Sequence, residues 1–423
     1  MTDQTAGKVP QIRFKGFEGV WEEEPILSRI KNVIDFRGRT PKKLGLEWSP
    51  SGYLALSALN VKDGYIDRYA DAHYGDESLY RKWMAGNELH CNQVLFTTEA
   101  PMGNVAQIPD KQKYILSQRT IAFVTDVDRL SEDYLGVLLK SPNVFGSLLA
   151  RSSGGTAKGV SQKSLSSIYA CVSDDLIEQT QIGKYFRELH RLIGLHQRKH
   201  DKLVTLKKAM LQKMFPEPGT TTPKIRFKHF SGEWLETKLG GVGQTQSGIG
   251  FPDAEQGGKT GTPFFKISDM SRVGNEQEMI TSNNYVSESQ LKRKKWMPIS
   301  HVPAVIFAKV GAAIMLNRKR MVRSPFMIDN NAMAYLFDAT WDTNFGRTLF
   351  DTINLPLYAQ VGALPSYNGS DIKSIVVHRP DNLEEQRKIG TYFRTLDTLI
   401  SQHATQLQKL KQLKSACLQK MFV

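Results

Sequence analysis

The sequence predicts an α+β protein made of one unit used twice: a globular segment of mixed helices and strands followed by a long helix, then a second such pair, with the two helices pairing as a coiled coil. Three observations predict it. Residues 176–215 align without a gap on residues 383–422, with 22 of 40 positions identical, far above chance agreement. A shorter motif opens each half: Pro10-Gln-Ile12-Arg13-Phe14-Lys15-Gly-Phe17-Glu-Gly19-Val-Trp21 recurs as Pro223-Lys-Ile225-Arg226-Phe227-Lys228-His-Phe230-Ser-Gly232-Glu-Trp234. Inside the long repeat, Leu189, Leu192, His196, Lys199, Leu203, Leu206, Met210 and Lys213 recur at alternating steps of three and four, as do Leu396, Leu399, His403, Gln406, Leu410, Leu413, Cys417 and Lys420. That spacing is the a/d row of a helix seam.

In chain order, residues 1–174 form the first globular segment and 175–215 the first long helix. Residues 216–222 form a linker, 223–381 the second globular segment and 382–423 the second long helix. Each helix opens on a cap signal, Asp175 or Asn382 followed three residues later by Glu178 or Glu385, a pattern that satisfies the orphan amides of a first turn. Pro216 stops the first helix, and each helix would be roughly 50 to 60 Å long at 1.5 Å per residue. The linker is marked by Pro216, Pro218, Gly219 and Pro223. The motif offset is 213 at the start of each half and 207 at the helices, so the second globular segment is six residues shorter.

Within the globular segments, short β-branched and aromatic runs bounded by Gly and Pro read as strands. Gly52 to Leu56 matches Gly261 to Ile267. Gln93 to Phe96 followed by Met102 to Val105 matches Ala304 to Phe307 followed by Val310 to Ala313. Leu165 to Ala170 matches Ile372 to Val377. The motif aromatics, Phe14, Phe17, Trp21, Phe227, Phe230 and Trp234, read as core or staple residues rather than a ligand box.

Composition narrows the function classes. The 423 residues suffice for two or three domains with their own cores. Residues Met1 to Pro10 are polar, and no apolar run approaches the roughly 18 residues of a membrane span. Cys91, Cys171 and Cys417 are isolated, which fits a reducing cytoplasm. The net charge of +14 invites a nucleic-acid partner, but the two helices supply +10 of it, nine Lys/Arg against three acids and seven against three. A helix pair lined with Lys and Arg is equally suited to solvent or to an acidic protein.

At this point the chain resembles a known family, the specificity subunits (HsdS) of Type I restriction-modification systems. The paired Leu-x-Glu-Gln-x-x-Ile-Gly-x-Tyr-Phe-Arg stretches with their long helices, and the second globular half between them, carry the resemblance. It implies two target recognition domains, each reading one half of a split asymmetric double-stranded DNA target, and an antiparallel helix pair with pseudo-two-fold symmetry that sets the gap. It also implies a non-catalytic chain that binds no cofactor itself. Its partners would be two methyltransferase subunits using S-adenosylmethionine and, through them, restriction subunits using ATP and Mg. The expected location is cytoplasmic, with no membrane partner.

The catalytic motifs of the alternatives are absent or broken. Asn354-Leu-Pro356-Leu-Tyr358 lacks the central residues of an adenine methyltransferase stretch. Gly257-Gly258-Lys259-Thr260 imitates the end of a P-loop whose first glycine is replaced by Asp253. Glu236-Thr-Lys238 is half a nuclease signature, and its counterpart is Glu23-Glu24-Pro25. No His or Cys spacing suits zinc, and His196 and His403, at one seam position, read as register-setting residues. Two alternative functions stay open: a self-contained restriction-modification enzyme and a helical protein-interaction scaffold.

If DNA is the partner, its contacts must come from the globular segments. The candidates are Arg37, Arg39, Lys42, Lys43, Lys158 and Lys163 in the first segment. In the second they are Lys292, Arg293, Lys294, Lys295, Arg318, Lys319, Arg320 and Arg323. Lys and Arg neutralise phosphates, while Arg, Asn and Gln read base edges.

Overall fold

The computed structural model describes residues 8–152, 159–360 and 364–423. The chain divides into two compact units, one comprising the residues up to Gln197 together with Thr405–Val423, the other Arg198–Ala404. Both long helices, Leu176–Lys213 and Leu383–Lys420, run through the division, so each unit holds a piece of each helix.

The units share one plan. In the first, a four-stranded antiparallel sheet has the order Ile30–Asp35, Thr120–Thr125, Val94–Thr97, Val105–Gln107. In the second the order is Gly243–Ser247, Ala332–Phe337, Ala304–Ala308, Lys319–Val322. Beside each lies a three-stranded sheet: Tyr74–Gly75, Tyr53–Leu56, Ile115–Leu116, and Tyr285–Val286, Thr262–Phe265, Met327–Ile328. Because side chains alternate across a strand, the apolar runs of the large sheets feed two cores at once. Val94, Phe96, Ile121 and Phe123 enter the core that receives the long helices, while Leu95, Ala122 and Ile34 enter the core of the three-stranded side. Val305, Phe307 and Met333 against Ala304, Ile306 and Ala334 repeat this in the second unit.

The repeated motifs are the joint between globular part and helix. The strand Glu22–Pro25 pairs with Tyr169–Val172, and Leu235–Lys238 with Val376–Arg379, which brings each opening motif to the start of a long helix. Asp175 Oδ1 accepts from the amides of Ile177 and Glu178, and Asn382 Oδ1 from those of Glu384 and Glu385, so the caps are as expected. Glu178 and Glu385 do not complete capping boxes. Each is buried and forked by an arginine of the opening motif, Arg13 at 2.5 and 2.8 Å and Arg226 at 2.6 and 2.8 Å. A buried carboxylate requires a charged, bidentate partner more than a helix end requires a second acceptor.

The rest of the repeat has equally specific work. Gln179 accepts from the Ser131 amide and donates to the carbonyls of Arg129 and Ser173. Gln386 accepts from Asp342 and donates to Thr340 and Pro380. A Cβ on Gly183 would lie 2.8 Å from Tyr134 N, and one on Gly390 2.5 Å from Phe345 N. Only glycine lets the helix approach that backbone so closely. Phe14 and Phe227 meet Tyr185 and Tyr392 edge to face, and Trp21 and Trp234 are buried, as expected of core aromatics, whereas Phe17 and Phe230 are half-buried outside the cores, with Lys388 over the Phe230 ring.

The helices are antiparallel. In the first unit Tyr185 lies against Cys417, and His190 faces Lys414. In the second Lys207 bonds Asp397, and Phe215 packs on Phe393. The expected seam is half right. Leu189, Leu396 and Cys417 are buried, and His196, Leu203, Met210, His403 and Leu410, from the same row, are half-buried. The other row is displaced by one residue. Leu206, Leu399 and Leu413 are 36%, 37% and 44% exposed, and Lys199, Lys213, Gln406 and Lys420 are exposed. Leu407, Met214 and Met421 are buried at 6%, 4% and 3%. Leu192 and Ile193 are both half-buried, so the mid-helix does not choose between rows. Docking of Gly183 and Gly390 sets the rotation of each helix, and it turns Lys207 and Lys414 inward where periodicity favoured leucines.

Two strand expectations also change. Leu165 lies in the short helix Gln162–Ser166, and the strand begins only at Tyr169; Ile372 likewise lies in the helix Gly369–Lys373. Val310 to Ala313 is not a strand, because Gly311 (φ 83°) turns the chain into the 3-10 helix Ala312–Leu316, and the partner strand comes later, at Lys319–Val322. Among the described residues no helix is long and apolar enough to cross a membrane.

Candidate nucleic-acid interface

In each unit one end of the four-stranded sheet gathers exposed polar side chains. In the first unit it is the end where Ile30–Asp35 stops and Thr120–Thr125 begins. Arg37 forks onto Asp35 (Nη2 to Oδ2 2.5 Å, Nε to Oδ2 2.8 Å) and donates to the Val160 carbonyl at 3.2 Å, while Gln162 Nε2 reaches Asp35 at 3.3 Å. Arg39 lies over the Phe36 ring at 4.2 Å and donates to the Trp83 carbonyl; Gln118 donates to the Arg39 carbonyl. Lys42 and Lys43 follow on the 3-10 helix Pro41–Leu44, both exposed, with Lys43 Nζ 2.6 Å from the Gly38 carbonyl. Arg119 is exposed and pairs with Glu99 at 3.1 Å. Arg39, Gln118 and Arg119 border a hollow of about 340 Å³ that Trp48 and His73 also line.

Four of the first unit's candidates, Arg37, Arg39, Lys42 and Lys43, therefore converge. Lys163 is exposed on the short helix Gln162–Ser166, beside Asn32 and Val33 in a second hollow. Lys158 lies outside the described residues.

The second unit repeats the sheet end with other residues. Lys309 Nζ lies 3.2 Å from Ser247 Oγ, Asn330 and Asn331 are exposed, and Lys266 Nζ bonds Gln256 at 2.7 Å. Asp329 is buried there, and burial pushes its carboxyl above the ordinary range. The candidates read from charge alone lie elsewhere. Arg293 and Lys294 hold Glu255 at 2.6 and 3.2 Å, with Lys292 and Lys295 exposed beside them. Arg318 donates to Ser271 Oγ at 2.6 Å, and Arg323 to Glu278 and Asn344, each at 2.8 Å.

Lys319 and Arg320 are unsuited to phosphate contact. Lys319 is 3% exposed, its Nζ is 2.6 Å from the Ile353 carbonyl, and burial lowers its pKa to about 8. Arg320 Nη1 donates to the Lys319 carbonyl at 2.9 Å, and its Nε is buried without a partner. Both sit on a strand of the large sheet, where a run of basic letters is spent on packing.

Sequence reasoning passed over Gln118, Arg119, Lys309, Asn330 and Asn331. The signal was available in the duplication. Ile115-Leu116 and Met327-Ile328 are equivalent strands, and the residues after them, Ser117-Gln118-Arg119 and Asp329-Asn330-Asn331, correspond at an offset of 212. The imitation motifs are structural: Glu236 and Lys238 lie on the strand paired with Val376–Arg379, and Leu355–Tyr358 is a 3-10 turn. Among the described residues no group of three or more His, Cys, Asp or Glu is arranged to hold a metal ion.

No protein-family model matches the chain, and no curated protein matches it. Solved structures do. The Type I restriction-modification S subunit from M. genitalium superposes with a TM-score of 0.62 at 16% identity, covering 98% of this chain and 99% of that one. A structure described as the basis of complex assembly and conformational transition of a Type I system gives 0.45 at 15% identity over 94% and 96% of the two chains. The HsdS subunit from Thermoanaerobacter tengcongensis gives 0.42 at 15% identity over 94% and 95%. Over essentially its whole length, this chain has the fold of a Type I restriction-modification specificity subunit.

Proposed function

We propose that this chain is the sequence-specific double-stranded DNA recognition subunit of a Type I restriction-modification complex. Residues 1–174 and 223–381 each read one half of a split, asymmetric target. The paired helices, 175–215 and 382–423, set the gap. One observation carries the reading: two units share a scaffold down to single hydrogen bonds at the helix joint, yet differ in the residues at one sheet end. A protein that performs one task on two different half-targets needs that division.

The chain is non-catalytic in this reading and works in the cytoplasm as a scaffold for two methyltransferase subunits and, through them, restriction subunits. S-adenosylmethionine, ATP and Mg belong to those partners. The converging cations of the first unit and the residual +4 outside the helices supply counterion release on DNA.

Methylome sequencing of cells carrying this chain with its methyltransferase partner is the test. A single split motif with two unlike halves and a fixed gap is the expected result. A contiguous motif, or S-adenosylmethionine binding by the isolated chain, contradicts the reading.

A further inference from the structure

We infer that the turns Ser117–Arg119 and Asp329–Asn331 carry the base-reading side chains, Arg119 for the first half-site and Asn330 with Asn331 for the second. This rests on the DNA-recognition reading and assigns roles within it that neither charge nor fold assigns.

The two turns occupy one place in two units. Each joins the short strand of the three-stranded sheet (Ile115–Leu116, Met327–Ile328) to the central strand of the four-stranded sheet (Thr120–Thr125, Ala332–Phe337). Two backbone bonds are the same in both turns, and the second adds one from the Ala332 amide to Asp329 O at 3.0 Å. The Ser117 amide donates to Leu56 O at 3.1 Å and the Asp329 amide to Phe265 O at 3.1 Å. The carbonyls of Arg119 and Asn331 accept from Thr98 and Lys309, both at 2.8 Å. On both sides the flanking residues, Leu116 and Thr120, Ile328 and Ala332, are buried.

The turn is thus anchored at both ends on two sheets, and its tips, Arg119, Asn330 and Asn331, are exposed. A reading side chain requires a rigid base and a head that can exchange its partner, as Arg119 can its exposed ion pair with Glu99 and Asn331 its long 3.5 Å bond from Nδ2 to Asp329 Oδ2.

Sequence content points the same way. The flanks are apolar or small in both units, but the three turn residues share nothing, Ser-Gln-Arg against Asp-Asn-Asn. Arg119 holds a left-handed conformation at φ 64°, where glycine would be relaxed and where strain is retained for the sake of a side chain. Its partner Glu99 is 42% exposed, an ion pair weak enough to exchange for a base.

The head groups are those that discriminate base pairs in the major groove: Arg forks onto guanine O6 and N7, and Asn onto adenine N6 and N7. The neighbouring cations are committed otherwise. Arg37 is clamped by Asp35 and Arg39 by the Trp83 carbonyl, which suits holding a phosphate at fixed register, not reading a base. Gln118, tied to the Arg39 carbonyl, is a positioning residue.

The first half-site then contains a G·C pair read by Arg119, and the second an A·T pair read by the asparagines. The test uses the full chain with its methyltransferase partner in cells, with the methylated motif sequenced for wild type, Arg119→Ala, and the double variant Asn330→Ala with Asn331→Ala. Arg119→Ala is expected to relax one G·C position of the first half-site by roughly tenfold to a hundredfold and leave the second intact. The asparagine double variant should relax one A·T position of the second half-site only. Should either variant abolish all methylation, Arg119→Gln and the single asparagine variants, with melting curves, replace it. The same one-sided relaxation is still required of them.

Unaltered motifs at wild-type stringency, or relaxation in the half-site of the untouched unit, overturn the assignment. Absence of any split motif for the wild type instead overturns the DNA-recognition reading itself.

Discussion

The two units differ most tellingly where they are most alike, at the inward-facing lysines Lys207 and Lys414, which are equivalent in the repeat. In the second unit Lys207 Nζ lies 2.6 Å from Asp397 and 3.2 Å from Asp351, and Arg347 bonds Asp351 at 2.8 Å and approaches Asp397 at 3.5 Å. Two cations face two carboxylates. Burial pushes the Asp351 carboxyl up, yet Arg347 and Lys207 together hold it below the ordinary range.

In the first unit the position of Asp397 belongs to His190. Lys414 there reaches Asp63 only at 3.6 Å, and Lys140 shares that carboxylate at 3.1 Å. Two cations face one carboxylate, and the imidazole of His190 close by is held neutral. Burial, then Lys414, pushes the His190 pKa down to about 4, and Gly64 lies against its ring, where a Cβ would come within 3.2 Å. One scaffold therefore accommodates two charge patterns. It does so because the helix joint, with its Glu-Arg forks and glycine contacts, fixes the lysine's place independently of what surrounds it.

The largest effect expected concerns which helix face is buried. Leu407→Asp puts an unpaired carboxylate at a 6% exposed site and should cost about 4 kcal/mol. Leu413→Asp, at a site 44% exposed, should cost under about 0.5 kcal/mol. Urea unfolding of the two variants gives the comparison, and equal costs would restore the row of Leu206 and Leu413 as the seam.

Next is pH. The His190 value of about 4 lies below the ordinary 6.5, so the unfolded chain takes up the proton first. The contribution of the neutral ring is complete above about 6.5, falls as pH drops and levels off below about 4, a loss on the order of 3 kcal/mol. Melting temperatures of wild type and His190→Asn between pH 7 and 4 check this, with a flatter profile expected for the variant.

Exchanging the two patterns sharpens the contrast. Asp397→His leaves Lys207 and Arg347 with Asp351 alone and should destabilise by about 2 kcal/mol. That is less than a fully buried pair would lose, since Asp397 and Lys207 are 10% and 16% exposed. His190→Asp gives Lys414 and Lys140 a second carboxylate and should stabilise by about 1 kcal/mol at neutral pH. Thermal melts showing the same sign for both would mean that the cluster's charge balance is irrelevant.

The smallest expected effect is on self-association of halves. A fragment ending at Pro216 has a seam whose partner can only be a second copy. Lys207 of one copy then takes the place of Lys414 beside His190 of the other, twice. In a fragment from Glu217 onward Lys414 meets Asp397, twice. Both should dimerise, the first about fivefold more weakly, and the first should prefer an inverted repeat of its own half-site. Sedimentation across protein concentration, with and without that duplex, measures both.

The fold was legible because the chain carries its own alignment. Two copies of Glu-Gln-x-x-Ile-Gly-x-Tyr-Phe-Arg marked the joint, and the turn-bounded runs at Tyr53 and Val94 marked strands. What periodicity could not tell was which of two adjacent rows faces inward, since Leu206 and Leu413 look like core residues and Lys207 and Lys414 do not. Tertiary docking at Gly183 and Gly390 decided that. The candidate interface was half legible. Arg37, Arg39, Lys42 and Lys43 are clustered in sequence and in space, whereas Lys319 and Arg320 read as surface charge but serve the sheet. Arg119 and Asn331 carry no charge-run signal, and only the equivalence of their turns picks them out.

The central claim, that the units read DNA independently on a common scaffold, is tested most directly by exchange. The interior between Trp234 and Asn382 is replaced with that of a related protein, leaving both opening motifs and both helices intact, and the methylated motif is sequenced. The account predicts a changed second half-site, an unchanged first half-site and an unchanged gap. A motif in which both halves change together, or in which neither does, would contradict it.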